Sequence, residues 1–176
     1  MALFGHRLMM DRVVPGGVAV DVDAAALARL VAQCDAIEPE IRRLHSIYDE
    51  HSGLQDRFIT TGRVAPQLAA QLGLTGLAGR ASGQAWDLRC NPPWPPYDQL
   101  DVRMATHLNG DVAARVTVRF DEALESLRLI RALCTRLPAG RVRAELPGAS
   151  GAAIGAGWVE GWRGEVFVAL ELEGDT

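Results

Sequence analysis

Residues 110–140 read GDVAARVTVRFDEALESLRLIRALCTRLPAG, and this stretch decides the fold. Its apolar positions fall at Val116, Phe120, Ala123, Leu127, Ile130, Cys134 and Leu137, alternately four and three apart. That period lays a single apolar stripe along an α-helix. Asp111 stands where a carboxylate can accept the free N–H groups of the first turn, and Pro138-Ala139-Gly140 stops the element. Glu122, Glu125, Arg128 and Arg131 occupy the other face, which is expected to be largely solvated.

Upstream lies a stripe of matched period: Leu27, Leu30, Cys34, Ile37, Ile41, Leu44 and Tyr48. It predicts a helix of about 40 Å at 1.5 Å per residue, beginning near Ala24 and capped by Asp21 or Asp23. Pro39 removes one backbone donor and predicts a kink or break near Glu38, and Ser52-Gly53 is expected to end the element. Arg29, Glu40, Arg42 and Arg43 lie on its polar face. Two stripes of equal length and period pack most simply on each other, antiparallel and at a shallow angle.

Between these helices the composition changes. Residues Gln67–Gly76 suit a short helix, while Asn91-Pro92-Pro93-Trp94-Pro95-Pro96-Tyr97 favours an extended, polyproline-like path pinned by Trp94 and Tyr97. The tail turns to strand patterning. Gly148–Gly157 reads as a loop, Trp158–Glu160 and Glu165–Leu172 read as strands, and Gly161-Trp162-Arg163-Gly164 joins them at hairpin length. Such a ribbon needs more strands or the helices to settle on, and Val13-Val14 with Val18–Val20 could supply an edge. The fold expected is α+β and mainly helical: an antiparallel pair of long helices with a small C-terminal antiparallel β-sheet. One domain covers 1–176, helical over about 22–138 and stranded over about 140–176.

Composition limits the function classes. A chain of 176 residues with 48% hydrophobic and 23% charged residues is an ordinary globular domain with enough length for a real core. Its net charge of −4 and its dispersed arginines argue against nucleic acid. All 18 basic residues are Arg, which reads as a coding bias. Cys34, Cys90 and Cys134 are far apart and form no C-x-x-C, against both a disulfide framework and a four-ligand zinc site, so the chain reads as cytosolic. No apolar run approaches the roughly 20 residues of a membrane span. The first residues lack the apolar core of a signal peptide, so a link to a membrane must run through a partner.

Few motifs carry chemistry by themselves. The Gly/Ala tract 148–157 lacks the phosphate-cradle spacing and a Lys, and Ser82 is not in a G-x-S-x-G elbow with any of His6, His45, His51 or His107. Asp87 and Arg89 flank Leu88, so on extended backbone they project to one side, with Arg80 just upstream. Two readings stand: a charge-paired knot held by forked guanidinium bonds, or a polar wall facing a cavity or a subunit interface. Arg115 and Arg119 share a helix face with Asp111 and Glu122 and are expected to fasten that helix down.

The order His6-Arg7, Pro15-Gly16-Gly17, long helix, Thr61-Gly62, Leu72-Gly73-Leu74-Thr75-Gly76, Arg80-Ala81-Ser82-Gly83, Asp87-Leu88-Arg89, Tyr97, Gly110-Asp111, Arg119, Pro138, Glu160 and Arg163-Gly164-Glu165 resembles one family almost from end to end. It is the large-subunit family of membrane-bound [NiFe] hydrogenases of the formate hydrogenlyase type, which includes the homologous quinone-cavity subunit of respiratory complex I. The Gly-rich lead into Glu160 and Arg163 looks closer to the hydrogenase branch. The resemblance implies a subunit that moves electrons between H2 or NADH and iron–sulfur centres or a quinone. Its partners would be an iron–sulfur small subunit and further subunits, at the cytoplasmic face of a bacterial inner membrane. The hydrogenase pattern E-x-P-R-G matches Glu160-Gly161-Trp162-Arg163-Gly164, which makes Arg163 the candidate catalytic guanidinium, although Trp162 stands where the family has Pro. Arg80, Ser82, Asp87, Arg89 and Glu160 become candidates for a cavity wall or a subunit interface.

The family's nickel and iron thiolates come from cysteine motifs with no counterpart here, so no cofactor is expected on this chain, although full-length members hold a nickel–iron centre or border a quinone site. The chain is expected to be an excerpt of a longer large subunit and silent by itself, with self-pairing or modest stability where flanking parts would pack. A metal-free interaction or assembly module is the alternative. A small-molecule binder built on Trp86, Trp94 and Trp158 ranks last.

Overall fold

The computed structural model describes residues 3–6, 8–146 and 151–173; residues 1, 2 and 7, residues 147–150 at the start of the Gly/Ala tract and residues 174–176 of the expected strand part lie outside the described residues. Two short strands, β1 (Val13–Val14) and β2 (Gly17–Val18), precede α1 (Ala24–Glu50). Then come α2 (Ser52–Phe58), α3 (Pro66–Gln71), α4 (Gly76–Ala81), a 3-10 turn (Tyr97–Gln99) and α5 (Val112–Arg136). The chain closes with the hairpin β3 (Ala153–Gly161) and β4 (Gly164–Leu172).

Both long helices begin where a carboxylate caps them. Asp23 accepts from Ala26 N at 2.6 Å and Asp111 from Ala114 N at 2.8 Å, each satisfying an orphan donor at the positive end of a helix dipole. The helices pack antiparallel. His45 stacks on Phe120 with ring centroids 4.5 Å apart near one end of the seam, and Arg131 binds Asp35 and Glu38, each at 2.8 Å, near the other. Asp111 also accepts from Thr60 N at 2.9 Å and is only 2% exposed, so it ties the segment after α2 to the start of α5. Asp111→Ala is expected to cost about 2 kcal/mol, the upper end of the N-cap range, and Asp111→Asn clearly less. Urea unfolding measures both; a loss below about 0.5 kcal/mol for the alanine variant would show the cap to be dispensable.

The roll of α1 differs from its apolar stripe by one position. The inward line is Leu27, Val31, Cys34, Glu38, Ile41, His45 and Tyr48, while Ile37 and Leu44 remain 48% and 56% exposed. The pairs with Phe120 and Arg131 set this roll and turn the Ile37–Leu44 edge outward. Pro39 does not break the helix, which runs continuously from Ala24 to Glu50. The ring lies on the exposed face, where solvent can take the carbonyl it leaves without a partner. The helix ends at Glu50, next to Ser52-Gly53 as expected, and Ser52-Gly53 also opens α2, because His51 Nδ1 accepts from Leu54 N at 3.2 Å and caps a new turn.

The polar face expected on α5 is not simply solvated, for this helix is covered on two sides. Ala114 and Val118 pack with Leu77 and Ala81 of α4, and Ala105 covers them. Glu125 is buried, accepting from Arg103 N at 2.9 Å and pairing with Arg128 at 2.6 Å. The helix expected over 67–76 stops at Gln71. Gly73 N donates to Ala70 O and Leu74 N to Ala69 O, a C-terminal closure that puts Gly73 at φ +61°.

The proline-rich segment turns instead of running extended: Tyr97 N donates to Trp94 O at 2.7 Å, and the Asn91–Pro92 and Pro95–Pro96 bonds are cis. Trp94 meets Tyr97 edge-on at 5.5 Å and stays 41% exposed, so this aromatic pair fastens the segment to itself more than to the body.

The C-terminal antiparallel hairpin forms as expected, but with a shorter connection: Gly161 pairs with Gly164, leaving Trp162-Arg163 as the turn. Its first strand begins earlier than the loop reading of 148–157 allowed, since Ala153–Gly157 pairs with Leu172–Val168. Val13-Val14 and Gly17-Val18 do not join it as an edge. They form their own small hairpin, bridged at Gly17 to Arg143. Among the described residues β3 and β4 therefore pair only with each other. No helix of the described residues is long and apolar enough to cross a membrane.

Candidate functional site

Four elements meet at Arg80. Leu77 and Ala81 anchor α4 in the core, which carries the intervening Arg80 into the interior with 1% of its surface exposed. Its Nε donates to Glu122 Oε1 of α5 at 2.6 Å, and its Nη1 donates to Glu160 Oε1 of β3 at 2.8 Å and to the Trp86 carbonyl at 3.2 Å. Asp87 Oδ2 lies 3.7 Å from the same Nη1. Asp87 heads a tight turn, with Cys90 N and Asn91 N both donating to its carbonyl. Arg89 folds back on the Asp87 carboxylate through a forked pair, Nε to Oδ1 at 2.9 Å and Nη2 to Oδ2 at 2.6 Å. The pair thus forms on a turn and not on extended backbone, and the charge-paired knot is what the structure contains.

The hairpin is moored to this knot at its turn end. Besides reaching Arg80, Glu160 accepts from Leu88 N at 3.2 Å, and Glu165 accepts from Trp86 Nε1. Gly76, at φ +60°, lets the start of α4 meet the backbone of Arg163 and Gly164, where any Cβ would overlap it.

Burial would raise the Asp87 carboxyl, but the Arg89 fork, the Arg89 N–H and the charge of Arg80 together hold it below the ordinary Asp value. Burial opposes the charge on Arg80 as well, and the bonds to Glu160 and Glu122 overcome it and raise its pKa. Asp87 raises Arg89 further. In the same way the N–H donors at Asp111, and Arg128 with the Arg103 N–H at Glu125, outweigh burial and lower both carboxyls. A depressed carboxyl contributes stability that is complete above its unfolded value, about 4, and is lost as pH falls through the folded value. The melting temperature is therefore expected to fall steeply below about pH 4. Asp87→Asn should flatten that fall. A profile equally steep in the variant would remove Asp87 from the account.

Beside the knot opens a cavity of about 400 Å³, lined by Arg80, Arg89, Arg119, Glu122, Glu160 and Trp162 among others. Arg119 and Arg163 each place a guanidinium on the Trp162 ring, 4.9 and 4.6 Å from its centroid. Of the residues singled out in sequence, Arg80, Asp87, Arg89 and Glu160 come together. Ser82 is buried at the end of α4 near Gly110 and does not line the cavity, and Arg163 is exposed on the hairpin turn. Arg115 binds the carbonyls of Gly62 and Gly110 and so fastens the start of α5 as expected. Glu122, Arg119 and Trp162 were not singled out for the cavity, because no spacing links residue 122 or 119 to residue 80. Trp86, Trp94 and Trp158 do not line it.

The donor set does not fit a nickel–iron centre. Cys34 and Cys134 sit on the α1–α5 seam, whereas the thiol of Cys90 faces the Val102 carbonyl at 3.6 Å. Among the described residues no three His, Cys, Asp or Glu side chains are grouped to hold a metal ion.

Comparison with known proteins agrees with this architecture. The chain is 34% identical to the carbon monoxide-induced hydrogenase of Rhodospirillum rubrum over 98% of its length and 48% of that protein's. It is also 34% identical to an NADH-quinone oxidoreductase subunit of Paramagnetospirillum magneticum, over 80% of this chain and 36% of that one. The chain thus spans about a third to a half of these relatives. A chain of the membrane-bound sulfane sulfur reductase, an archaeal respiratory membrane complex, superposes with a TM-score of 0.86 over 98% of this chain and 48% of that chain; at 24% identity it shows the shared fold. Residues 1–152 match the family model of the respiratory-chain NADH dehydrogenase 49 Kd subunit, and the chain belongs to that family.

Proposed function

We propose that this chain is framework of the large subunit of a membrane-associated oxidoreductase complex of the hydrogenase or NADH-quinone oxidoreductase type. It serves electron transfer between the H2 or NADH side and iron–sulfur centres or a quinone. The observation that carries this reading is the Arg80 knot. It locks α4, α5, the 86–89 turn and β3 into one wall beside a cavity, as a subunit must when it shapes a site completed by its partners. Arg89 and Arg119 at that wall are donors suited to the carbonyl oxygens of a quinone, whose negative charge grows on reduction. Arg163 supplies a further guanidinium from the turn. The chain is peripheral, held at the cytoplasmic face of the membrane by an iron–sulfur small subunit and its neighbours, and is inactive alone.

Affinity-tagged chain, drawn from native membranes in mild detergent, is expected to elute with an iron–sulfur protein visible by electron paramagnetic resonance. Elution alone would overturn the reading, and H2- or NADH-driven electron transfer by the isolated chain would contradict its silence. A second reading, an assembly or interaction module, is favoured by the two exposed faces of the β3–β4 hairpin. It predicts association with immature complexes only.

A further inference from the structure

The seam between α1 and α5 brings two sulfurs to one level. Tyr48 and Phe120 meet there with ring centroids 6.0 Å apart. From that contact Cys34 lies fourteen residues back along α1, and Cys134 lies fourteen residues on along α5. The helices are antiparallel, so equal counts at 1.5 Å per residue arrive at the same height, roughly 21 Å along the seam. Fourteen residues are also close to four whole turns, so both side chains return to the face on which Tyr48 and Phe120 meet. Arg131 gives the same register. It stands one turn before Cys134 and binds Asp35 and Glu38, which follow Cys34 directly and by one turn, each at 2.8 Å.

The two thiols differ in access. Cys34 is 2% exposed, which closes it to reagents in solution, whereas Cys134 is half-buried and a small reagent can reach it. Burial raises the Cys134 thiol above its ordinary range, and Cys34 raises it further, as a second sulfur close by does. Cys134 therefore rests as a thiol at neutral pH. Cys90 stands apart on the turn after Asp87, its thiol on the Val102 carbonyl at 3.6 Å. As packing groups, Cys34 and Cys134 would serve at any level of the seam. Placed at one level, they are also a dithiol.

We infer that Cys34 and Cys134 form a reversible dithiol–disulfide pair that staples α1 to α5 when hydrogen peroxide is present. Cys134 attacks the peroxide as its thiolate: an S–O bond forms, the O–O bond breaks, and the departing hydroxide takes the thiol proton and leaves as water. The Cys34 sulfur then displaces the sulfenic hydroxyl. An S–S bond forms, the S–O bond breaks, and the Cys34 proton leaves with that hydroxyl as a second water. Two thiols give up two electrons in all, and one peroxide is reduced to two waters. The loop so closed holds α2, α3, α4 and the Asp87 turn, so the staple restrains the unfolded form of most of the helical part. The inference concerns the helix pair alone and stands whichever complex the chain serves.

Trypsin leaves the three cysteines on separate peptides, 30–42, 90–103 and 132–136, none of which contains Met. After the folded full chain is treated with hydrogen peroxide, a non-reducing digest is expected to yield 30–42 joined to 132–136, at their combined mass less two hydrogens, with 90–103 unlinked. Dithiothreitol should separate them again. In concentrated urea, where the register is gone, 90–103 should enter the linked fraction. The melting temperature of the oxidised chain should rise by about 5–15 °C. Cys34→Ala and Cys134→Ala should each remove that rise, and Cys90→Ala should keep it. Should an alanine variant fail to fold, the digest of the unaltered chain still decides. Cys134 driven to the sulfinic acid beside a reduced Cys34, a folded chain linked through Cys90, dimers joined by disulfides, or linkage without a rise in melting temperature would each overturn the inference.

Discussion

Arg80→Met should lower the unfolding free energy by about 3–5 kcal/mol, the cost of removing one member of a buried ion pair and leaving the other without its partner. The knot holds two guanidinium groups, Arg80 and Arg89, against three carboxylates, Asp87, Glu122 and Glu160, a balance of −1. Deleting Arg80 leaves −2. Asp87 is fully buried and the Glu160 side chain is 3% exposed, so water cannot take over; Glu122, at 17%, is partly relieved by solvent. Domains have only about 5–15 kcal/mol of stability in all, so the variant should approach the folding threshold.

Two further variants separate charge from shape. Arg80→Lys keeps the charge but cannot reach Glu122 with one nitrogen and both Glu160 and the Trp86 carbonyl with another, so it should recover only part of the loss. Arg80→Met/Glu160→Gln should be more stable than the two single losses sum to, because the first change already removes the partner of the second. Urea unfolding followed by tryptophan fluorescence, with Glu160→Gln measured alone to complete the cycle, gives all four numbers. A loss under about 1 kcal/mol for Arg80→Met, the size of an exposed salt bridge, would mean that water enters the knot and that the fold does not hinge on it.

The residues of the knot show where sequence reading runs out. Period and caps are local, so both long helices, their Asp caps and their antiparallel pairing were legible from Asp23 and Asp111 onward. The forked Asp87–Arg89 pair was legible too, two residues apart. The partners of Arg80 were not, for Glu122 lies 42 residues away and Glu160 lies 80 away, and only the packed fold brings them within reach. The roll of α1 escaped for a related reason. Ile37 and Leu44 look as suited to the seam as Glu38 and His45, until Phe120 and Arg131 choose. The early start of β3 was hidden by Ala153, Gly155, Ala156 and Gly157, poor strand formers around Ile154 that β4 holds in register. The cavity was legible only as an alternative reading of polar residues, since its Trp162 stands where the resembling family has proline.

Gly76→Ala should detach the hairpin from the body, and Gly73→Ala supplies the control. The two glycines share a left-handed backbone, φ +60° and +61°, so an added methyl costs each about 1–2 kcal/mol of backbone strain. They differ in their surroundings. A Cβ at Gly73 meets nothing within 4 Å, whereas at Gly76 it would overlap the carbonyl of Arg163 and the amide nitrogen of Gly164. Those obstacles are backbone, which cannot swing aside as a side chain would, so α4 and the hairpin turn must part. Parting them weakens the part-buried Glu160–Arg80 bond and the exposed Glu165–Trp86 bond that moor the hairpin, and the loss should exceed that of Gly73→Ala by about 2 kcal/mol, given that a hydrogen bond to a charged group is worth about 1.5–3. Limited proteolysis should then cut the Gly76→Ala chain within 153–172 at a protease level that spares both Gly73→Ala and the unaltered chain. Equal stability and equal protection of the two variants would show that the hairpin is not seated on α4, and would dissolve the cavity wall that its turn completes.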